Sequence, residues 1–390
     1  MAKLGELISQ AKVVRCGSGD YPVLSMTMHD GIVKQSGRFK KAIASKDTST
    51  YKVVQPGQLV VGFPIDEGVI YVQNFDEPGI MSPAYNVWDI DLGKVQPAYL
   101  ELALHSPQSM LYYAKKMRGT TARRRSITPN NLCAMELPLP SMERQVEIVA
   151  LFGLIRTQIE KGNQQLSKLD ELVKSRFIEM FGATPEQMLC KWDHAPLLSC
   201  VESIDSGKSV NCKAEPRNEL EPGVLKLSAL SSGAYLSSEN KAMPDGCEVV
   251  PGKEVCFGDI LVARKNTPEL VGACVLVKED TPNLMFPDLV FRMHPLESID
   301  AIYLTALLGI SPFSNSVRAL AHGSAKSMSN IPKTDLGKLQ VPLPPIELQC
   351  EFASFVAQID KLEFAARQQI EKLQTLYDSL AQSYFGGQED

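Results

Sequence analysis

An internal repeat constrains the fold of this chain more than any other feature of its sequence. The segment Pro138–Pro140 recurs as Pro342–Pro344, at an offset of 204 residues. The same offset aligns many further positions without a gap, ending with the Phe-Gly pairs at 181–182 and 385–386. A repeat at a fixed period indicates a repeated structural unit. The chain is therefore predicted to hold two copies of one unit, each a variable globular part followed by a more similar C-terminal part.

The similar C-terminal part is predicted to be a long helix. The segments LPLPS and VPLPP are predicted to be extended, because proline lacks an N–H and restrains the residue before it. No proline follows up to residue 181 in the first copy or after Pro345 in the second, and Ser141 is a suitable N-cap. Apolar residues then recur at steps of three, four or seven, as in the seam of a coiled coil. The predicted seam residues are Leu166, Leu169, Val173, Met180, Ile359, Leu362, Leu373, Leu376 and Leu380.

Two such helices in one chain have two possible partners. A single amphipathic helix usually packs on its own domain, and this alternative stays open. Pairing with each other would cover both narrow seams at once, so we favour an antiparallel coiled coil. Helices of roughly 35–40 residues would form a rod about 50–60 Å long. The two globular parts would then lie at opposite ends of that rod.

The globular parts are predicted to be similar domains of a mixed α/β (α+β) fold. Residues 50–65 and 247–265 hold β-branched runs broken by Pro-Gly or Gly-Asp turns, whereas residues 95–118 and 299–320 favour short helices. A length of 390 residues fits two domains with connectors. The predicted boundaries are 1–137 for the first globular domain, 138–182 for a central helical spacer, 183–341 for the second globular domain, 342–386 for a C-terminal spacer and 387–390 for a tail.

The charge of the chain is unevenly distributed. The formal net charge is −5, yet residues 1–126 carry 16 Lys and Arg against 11 Asp and Glu. Residues 183–340 carry 15 basic against 19 acidic residues. A local positive field can bind a polyanion even when the whole chain is acidic. The first globular part is therefore the stronger candidate for contact with a nucleic acid.

Two repeat-related loops, and the segment Arg264–Asn266 that directly follows a predicted strand, are candidates for that contact. The loop 119–126 carries hydroxyls and three consecutive arginines, and its repeat partner 323–329 keeps a glycine, hydroxyls and one lysine. Backbone N–H groups, hydroxyls and guanidinium groups contact phosphates, and a bidentate arginine reads guanine. Ordinary solvated turns are the alternative for each segment. The predicted DNA-binding residues are Lys34, Arg38, Lys40, Lys41, Arg118, Arg123, Arg124 and Arg125 in the first part, and Lys208, Arg264, Lys265, Asn266, Arg318 and Lys326 in the second.

Patterns for catalysis, metal binding and membrane insertion are missing from the sequence. Ser206–Ser209 looks like the end of a phosphate-binding P-loop, but Glu202 stands where the first glycine belongs, so a turn with an exposed lysine is favoured. No G-x-S-x-G elbow occurs, and no apolar run approaches the roughly 18 residues of a membrane span. Nine cysteines without a Cys-x-x-Cys pair indicate reduced thiols in a cytoplasm and argue against zinc. We therefore predict a cytoplasmic, non-catalytic chain.

The layout resembles the DNA-specificity subunits of Type I restriction-modification enzymes. The motifs that carry the resemblance are LPLPSMERQVEI at 137–148, VPLPPIELQCEF at 341–352, and the G-[ST]-x5-6-I-x4-L approaches that begin at Gly119 and Gly323. The stretches at 22–35 and 223–236 also look like the beginnings of recognition domains. The resemblance covers essentially the whole chain.

This resemblance implies two target-recognition domains, each followed by a helical spacer, with the spacers paired as an antiparallel coiled coil. It implies that the chain is non-catalytic and reads a bipartite double-stranded DNA target, one half-site per domain. The implied partners are two methyltransferase subunits, bound largely through the spacers, and restriction (translocase-nuclease) subunits. S-adenosylmethionine is expected in the methyltransferase partner and not in this chain. The alternatives are a specificity chain of a methylation-only or other restriction system, and a protein-interaction scaffold without nucleic-acid binding.

Overall fold

The computed structural model describes residues 1–28, 30–38, 47–121, 125–323 and 328–386. The chain divides into two compact units: unit 1 is Met1–Asn163 with Arg367–Asp390, and unit 2 is Gln164–Ala366. Each unit combines a globular part of strands and short helices with segments of two long helices. The predicted mixed α/β fold with two similar domains and long helices is confirmed.

Unit 1 is built on a four-stranded antiparallel sheet with the order Ile8–Gln10, Asn86–Ile90, Leu59–Val61 and Ile70–Val72. The strand Leu59–Val61 is buried along its whole length, as its run of β-branched residues favours. Helix Pro97–Leu104 contributes four buried side chains to the core. The other strands are Ala2–Lys3, Leu24–Met26, Ile32–Lys34, Lys52–Val54, Gly79–Met81 and Glu136–Leu137, and the other short helices are Leu4–Glu6, Gln35–Arg38, Ile65–Glu67, Pro107–Lys116 and Pro129–Cys133.

Unit 2 is built on a matching four-stranded antiparallel sheet with the order Val201–Ser206, Val290–Pro295, Ile260–Ala263 and Cys274–Leu276. Helix Ala301–Gly309 takes the place that Pro97–Leu104 has in unit 1 and buries four side chains in the core. The other strands are Asp193–Pro196, Gly223–Leu225, Asn240–Ala242, Lys265–Asn266, Leu284–Met285, Ser329–Asn330 and Gln340–Leu343, and the other short helices are Pro185–Lys191, Leu197–Ser199, Ser228–Ser231, Phe313–Ala319 and Lys333–Lys338.

The repeat in the sequence is a repeat in the hydrogen bonds. The hydroxyl of Tyr99 donates to the carbonyl oxygen of Pro138 at 2.9 Å, and the hydroxyl of Tyr303 donates to that of Pro342 at 3.0 Å. Each residue of the second pair lies 204 positions after its counterpart in the first pair, which is the repeat offset. In each unit the tyrosine ties the helix beside the sheet to the proline segment that leads into a long helix.

The two long helices, Met142–Phe181 and Ile346–Phe385, contain 40 residues each, as the proline-free segments predict. The Ser141 hydroxyl accepts a hydrogen bond from the Arg144 N–H at 3.4 Å and so caps the first helix. Within unit 1 the guanidinium of Arg144 donates to the Tyr384 hydroxyl at 3.1 Å, and that of Arg156 donates to the Tyr377 hydroxyl at 2.7 Å. Positions rise along one helix as they fall along the other, so these segments pack antiparallel.

The seam between the helices is largely the predicted one, with two errors. Leu169, Met180 and Ile359 are buried, and Leu166, Val173, Leu373 and Leu380 are half-buried. Leu362 and Leu376 are 51% and 46% exposed, so their placement in the seam was wrong. The alternation of three- and four-residue steps runs through 359, 363, 366, 370, 373, 377 and 380. Leu362 and Leu376 each stand one residue before a seam position, about 100° round the helix.

The compact units do not follow the linear domain boundaries drawn from the sequence. Both long helices lie inside the predicted spacers 138–182 and 342–386, but each helix contributes one segment to each unit. The reason is the antiparallel packing, which brings the end of the second helix beside the beginning of the first. The assignment of 1–137 and 183–341 as separate recognition domains stays a prediction.

Candidate nucleic-acid interface

The arginine-rich loop of unit 1 has a well-defined base. Arg118 and Ser126 pair across it: the Arg118 N–H donates to the Ser126 carbonyl at 2.8 Å, and the Ser126 N–H donates back at 3.1 Å. Gly119 follows with a φ of +89°, a conformation that favours glycine. The Arg118 side chain is exposed. The base of the loop therefore carries an exposed guanidinium, which a phosphate could contact.

Arg125, at the other end of the loop, is paired within the chain. Its guanidinium makes ion pairs with the carboxylates of both Asp66 and Glu67. The hydrogen bond that Arg125 donates to Glu67, together with the negative charges of Asp66 and Glu67, raises the pKa of Arg125 above its usual value. Only 21% of the Arg125 side chain is exposed. Of the predicted DNA-binding residues at the base of this loop, Arg118 is therefore open to solvent, while Arg125 is paired with acids.

The remaining predicted contacts of unit 1 are only partly described. The Lys34 ammonium pairs with Glu77 at 2.5 Å and lies 5.2 Å from the centre of the Phe75 ring, with 40% of its side chain exposed. Helix Gln35–Arg38 directly follows the strand Ile32–Lys34, to which Lys34 belongs. The side chain of Arg38 lies outside the described residues, as do Lys40, Lys41, Arg123 and Arg124.

Unit 1 also brings together three cations that the sequence analysis did not select. Arg15 and Lys52 face each other in an antiparallel bridge, and Lys12 lines a small depression together with Lys52. Burial lowers the pKa of Lys52, whose ammonium donates to the Tyr85 carbonyl at 2.5 Å. Arg15 and Lys12 lie 37 and 40 positions before Lys52, so spacing along the chain did not indicate that the three cations are close.

In unit 2, Lys208 is exposed in an irregular segment that follows the strand Val201–Ser206. No helix follows in residues 207–222, all of which the structure describes. Gly207 lies so close to its neighbours that a Cβ there would stand 2.1 Å from the Phe286 carbonyl oxygen. The lysine is exposed as predicted, but the predicted turn is not formed, because the Gly207 and Lys208 N–H groups donate to the Val290 and Phe286 carbonyl oxygens at 3.3 and 3.0 Å. The segment also lacks the helix N-terminus of a P-loop.

Arg264, Lys265 and Asn266 lie at the base of the second loop. The strand Lys265–Asn266 pairs with the strand Ser329–Asn330, which begins at the last residue of the loop 323–329. The Arg264 Nε donates to the Asn330 side chain at 3.2 Å, and its guanidinium lies 5.2 Å from the centre of the Phe291 ring. Two segments that the sequence analysis selected separately are therefore adjacent in the structure.

The individual side chains at this base differ in their access to solvent. Asn266 is only 8% exposed, and its side-chain oxygen accepts a hydrogen bond from the Thr267 N–H at 2.9 Å. Arg264 and Lys265 are half-buried. Arg318 is exposed and donates to the Asn315 side chain at 3.1 Å, while Lys326 lies outside the described residues. Arg264, Lys265 and Arg318 are therefore better placed than Asn266 to meet a ligand.

A polar network that the sequence analysis missed lies beside the sheet of unit 2. The Arg292 guanidinium donates to Asp205 at 3.2 Å and lies 3.9 Å from Asp259. Burial raises the pKa of Asp259 above its usual value, against the opposing effect of the Cys256 N–H that donates to it at 2.8 Å. Arg292 also donates to the carbonyl oxygens of Gly252 and Glu254. These contacts fix the loop around Gly252 and Glu254 to the sheet, so we infer that the network is structural.

Two features are absent from the described part of the chain. No three His, Cys, Asp or Glu side chains among those residues form a group that could hold a metal ion. None of the helices described is long and apolar enough to cross a membrane.

Comparison with known proteins gives a consistent result. No protein-family model matches the chain. The chain is 29% identical over 209 residues to the Type I restriction enzyme EcoEI specificity subunit of Escherichia coli, a match that covers 53% of this chain and 35% of that protein. The chain thus matches well under two thirds of this relative's length.

Solved structures extend the similarity over the whole chain. One is a chain from a study of complex assembly and conformational transition of the type I R-M system, with a TM-score of 0.58, 16% identity, and coverage of 99% of this chain and 97% of that one. Another is the Type I restriction-modification S subunit of M. genitalium, with a TM-score of 0.54, 14% identity, and coverage of 99% and 95%. At these identities the likeness shows the fold. Together with the curated match, it confirms the resemblance drawn from the sequence motifs.

Proposed function

We propose that the chain is the non-catalytic DNA-specificity subunit of a Type I restriction-modification system and reads a bipartite double-stranded target in the cytoplasm. The observation that carries the proposal is the duplicated plan of the units, each with a cationic loop base beside its sheet, in a chain similar to specificity subunits. Each unit would read one half-site. The divergence of the loops, arginine-rich in one unit and lysine-bearing in the other, suits two different half-sites.

In unit 1, contact with the phosphate backbone is proposed to come from Arg118, Arg123 and Arg124, with Lys34, Arg38, Lys40 and Lys41 extending the positive field. In unit 2 the proposed contacts are Lys208, Arg264, Lys265, Arg318 and Lys326. Phosphate contacts fix register and orientation, while guanidinium contacts to base edges supply sequence information. Each neutralised phosphate releases counterions, so DNA affinity should fall steeply as salt is added. In a plot of the logarithm of the binding constant against the logarithm of the salt concentration, each phosphate contact should contribute a slope of about −0.9.

The proposed partners are two methyltransferase subunits and restriction subunits, with S-adenosylmethionine bound by the methyltransferase. Support for a twofold partner comes from exposed apolar side chains at repeat-related positions of the long helices. Met142 and Ile346 are 39% and 37% exposed, and Leu172 and Leu376 are 47% and 46% exposed. Exposed apolar residues that recur in both copies suit two copies of one partner. Docking of a partner would bury these side chains.

The test is methylated-base sequencing of the source genome with and without the gene for this chain. Loss of methylation at one split motif would support the proposal and give both half-sites. If no motif changes, a DNA-binding titration across salt is decisive: affinity without salt dependence or half-site preference would favour the interaction scaffold. A motif found without any restriction subunit in the purified assembly would favour the methylation-only system.

A further inference from the structure

The acidic pair Asp66–Glu67 lies at the base of the arginine-rich loop. Carboxylates repel phosphates, so two acids on a surface proposed to bind DNA need an explanation. Both carboxylates pair with Arg125, and 15% of the Asp66 and 37% of the Glu67 side chain are exposed. The Ile65 N–H also donates to the Arg125 carbonyl oxygen at 2.9 Å. The two acids therefore hold the side chain of Arg125, while the neighbouring Ile65 holds its backbone.

The short helix Ile65–Glu67 is itself firmly held. Ile65 is fully buried in the core of unit 1, and Gly68 ends the helix with a φ of +73°. The two ring nitrogens of His105 lie 3.0 Å from the Gly68 carbonyl oxygen and 2.8 Å from that of Glu101. Because Glu101 belongs to helix Pro97–Leu104, the acidic pair is fixed to the helical layer beside the sheet.

The grip on Arg125 extends to the described parts of the loop. The Arg125 N–H donates to the Thr121 carbonyl at 3.0 Å, and the next residue, Ser126, pairs with Arg118. A displacement of Arg125 would therefore shift Thr121 and the exposed guanidinium of Arg118 together. A recognition group displaced by about 1 Å loses much of its effect, because directional contacts depend on fixed geometry.

Unit 2 holds the equivalent point in another way. Ser329, the repeat partner of Arg125, is paired by the backbone with Asn266, and Asn330 with Lys265. A two-residue ladder there replaces the ion cluster of unit 1. Loss of the acids should consequently affect one unit and not the other.

We infer that Asp66 and Glu67 are positioning residues for DNA recognition by unit 1, which hold the loop base through Arg125 without touching DNA. The inference rests on the proposed function and deepens it. It reverses the sign expected from charge alone: removal of two acids beside a polyanion should tighten binding, whereas loss of positioning should weaken it at one half-site.

The experiment compares the full chain, purified with the subunits that accompany it, in wild-type and Asp66→Asn/Glu67→Gln forms. The probes are a duplex carrying the split methylation motif and two duplexes in which one or the other half-site is scrambled. The control Asp76→Asn/Glu136→Gln removes the same charge from exposed acids of the same unit. Thermal unfolding of each variant monitors the fold.

We expect the Asp66→Asn/Glu67→Gln form to bind the full target roughly tenfold more weakly and to lose discrimination at one half-site, since a misread base pair costs a factor of this order. Discrimination at the other half-site should be unchanged, and the control should bind equally or more tightly. Unchanged or tighter binding by the test variant would overturn the inference. A wild-type chain that prefers neither half-site would instead overturn the proposed function.

If the double variant unfolds at a lower temperature, Arg125→Lys decides the question. Lysine keeps the positive charge but cannot pair with two carboxylates as a planar guanidinium does. A direct phosphate contact would be largely retained by lysine. The positioning role predicts that Arg125→Lys loses discrimination at the same single half-site, and retention of discrimination would refute it.

Discussion

The side-chain oxygen of Gln145 accepts a hydrogen bond from the backbone N–H of Gln96 at 2.8 Å, and so joins the first long helix to the globular part of unit 1. Its amide nitrogen donates to the carbonyl oxygens of Lys94 and Pro140 at 3.2 and 3.0 Å. The repeat partner Gln349 makes the same kind of bridge in unit 2, to the Asp300 N–H at 2.9 Å and the Pro344 carbonyl at 2.8 Å. Both glutamines are almost completely buried.

Gln145→Leu should therefore destabilise the chain although it adds apolar volume in a buried position. The Gln96 N–H and the Lys94 and Pro140 carbonyls would lose their partner in a buried site, at a cost of about 2 kcal/mol in the free energy of unfolding. Urea unfolding measures this cost. Gln158→Leu, at an exposed position of the same helix, is the matched control and should change stability little. Equal stability of both variants would show that the bridge contributes nothing.

The seam offers a matched pair of substitutions three residues apart. Ile359 is 5% exposed and Leu362 is 51% exposed on the same helix. Ile359→Ala should lower the free energy of unfolding by about 2–4 kcal/mol, because it removes buried methyl groups and leaves a cavity. Leu362→Ala should cost less than about 0.5 kcal/mol, as is usual for surface positions. Similar losses from both variants in urea unfolding would support the seam drawn from the sequence.

Much of the architecture could be predicted because the responsible signals are local or periodic. Proline segments, a proline-free stretch and a repeat offset define both long helices to within a few residues. The seam could be predicted only in part, because Leu362 and Leu376 adjoin true seam positions held by Glu363 and Tyr377. Which of two adjacent residues is covered depends on the packing of the partner helix. The local sequence pattern does not distinguish between the two positions.

The candidate site was less predictable for the same reason. Three consecutive arginines appear equivalent in the sequence, yet Arg125 is paired with acids 58 and 59 residues earlier in the chain. Such pairings depend on strand register and on the position of the Ile65–Glu67 turn. The clustering of Arg264–Asn266 with Ser329–Asn330 likewise needed the sheet to be known.

Two glycines should respond to alanine in opposite directions. Gly207→Ala would place a Cβ 2.1 Å from one carbonyl oxygen and 2.3 Å from another, so the backbone would have to move. We expect the free energy of unfolding to fall by about 3 kcal/mol or more, in the range of severe packing defects.

Gly153 lies inside the first long helix with nothing within 4 Å of an added Cβ. Gly153→Ala should raise stability by about 0.5–1 kcal/mol, because alanine loses less backbone entropy on folding. Thermal unfolding of both variants checks the two signs.

Alkaline pH should unfold the chain through its buried tyrosines, of which Tyr113 is the clearest case. Its side chain is fully buried and its hydroxyl donates to the Leu104 carbonyl at 3.1 Å; burial raises the pKa of Tyr113 far above its usual value of 10. Below pH 10 the phenol is protonated in both states and stability is complete. Above pH 10 the unfolded chain releases the proton while the folded chain retains it, so stability falls by about 1.4 kcal/mol per pH unit for this group.

The substitution Tyr113→Phe separates this titration from other alkaline effects. At pH 7 it should cost about 1 kcal/mol, since the Leu104 carbonyl loses its donor. Between pH 10 and 11.5 the variant should lose stability less steeply than the wild type, because one proton fewer is released on unfolding. Urea unfolding in steps of half a pH unit would reveal the difference in slope. Parallel curves for the two proteins would show that Tyr113 ionises equally in both states and is not shielded by the core.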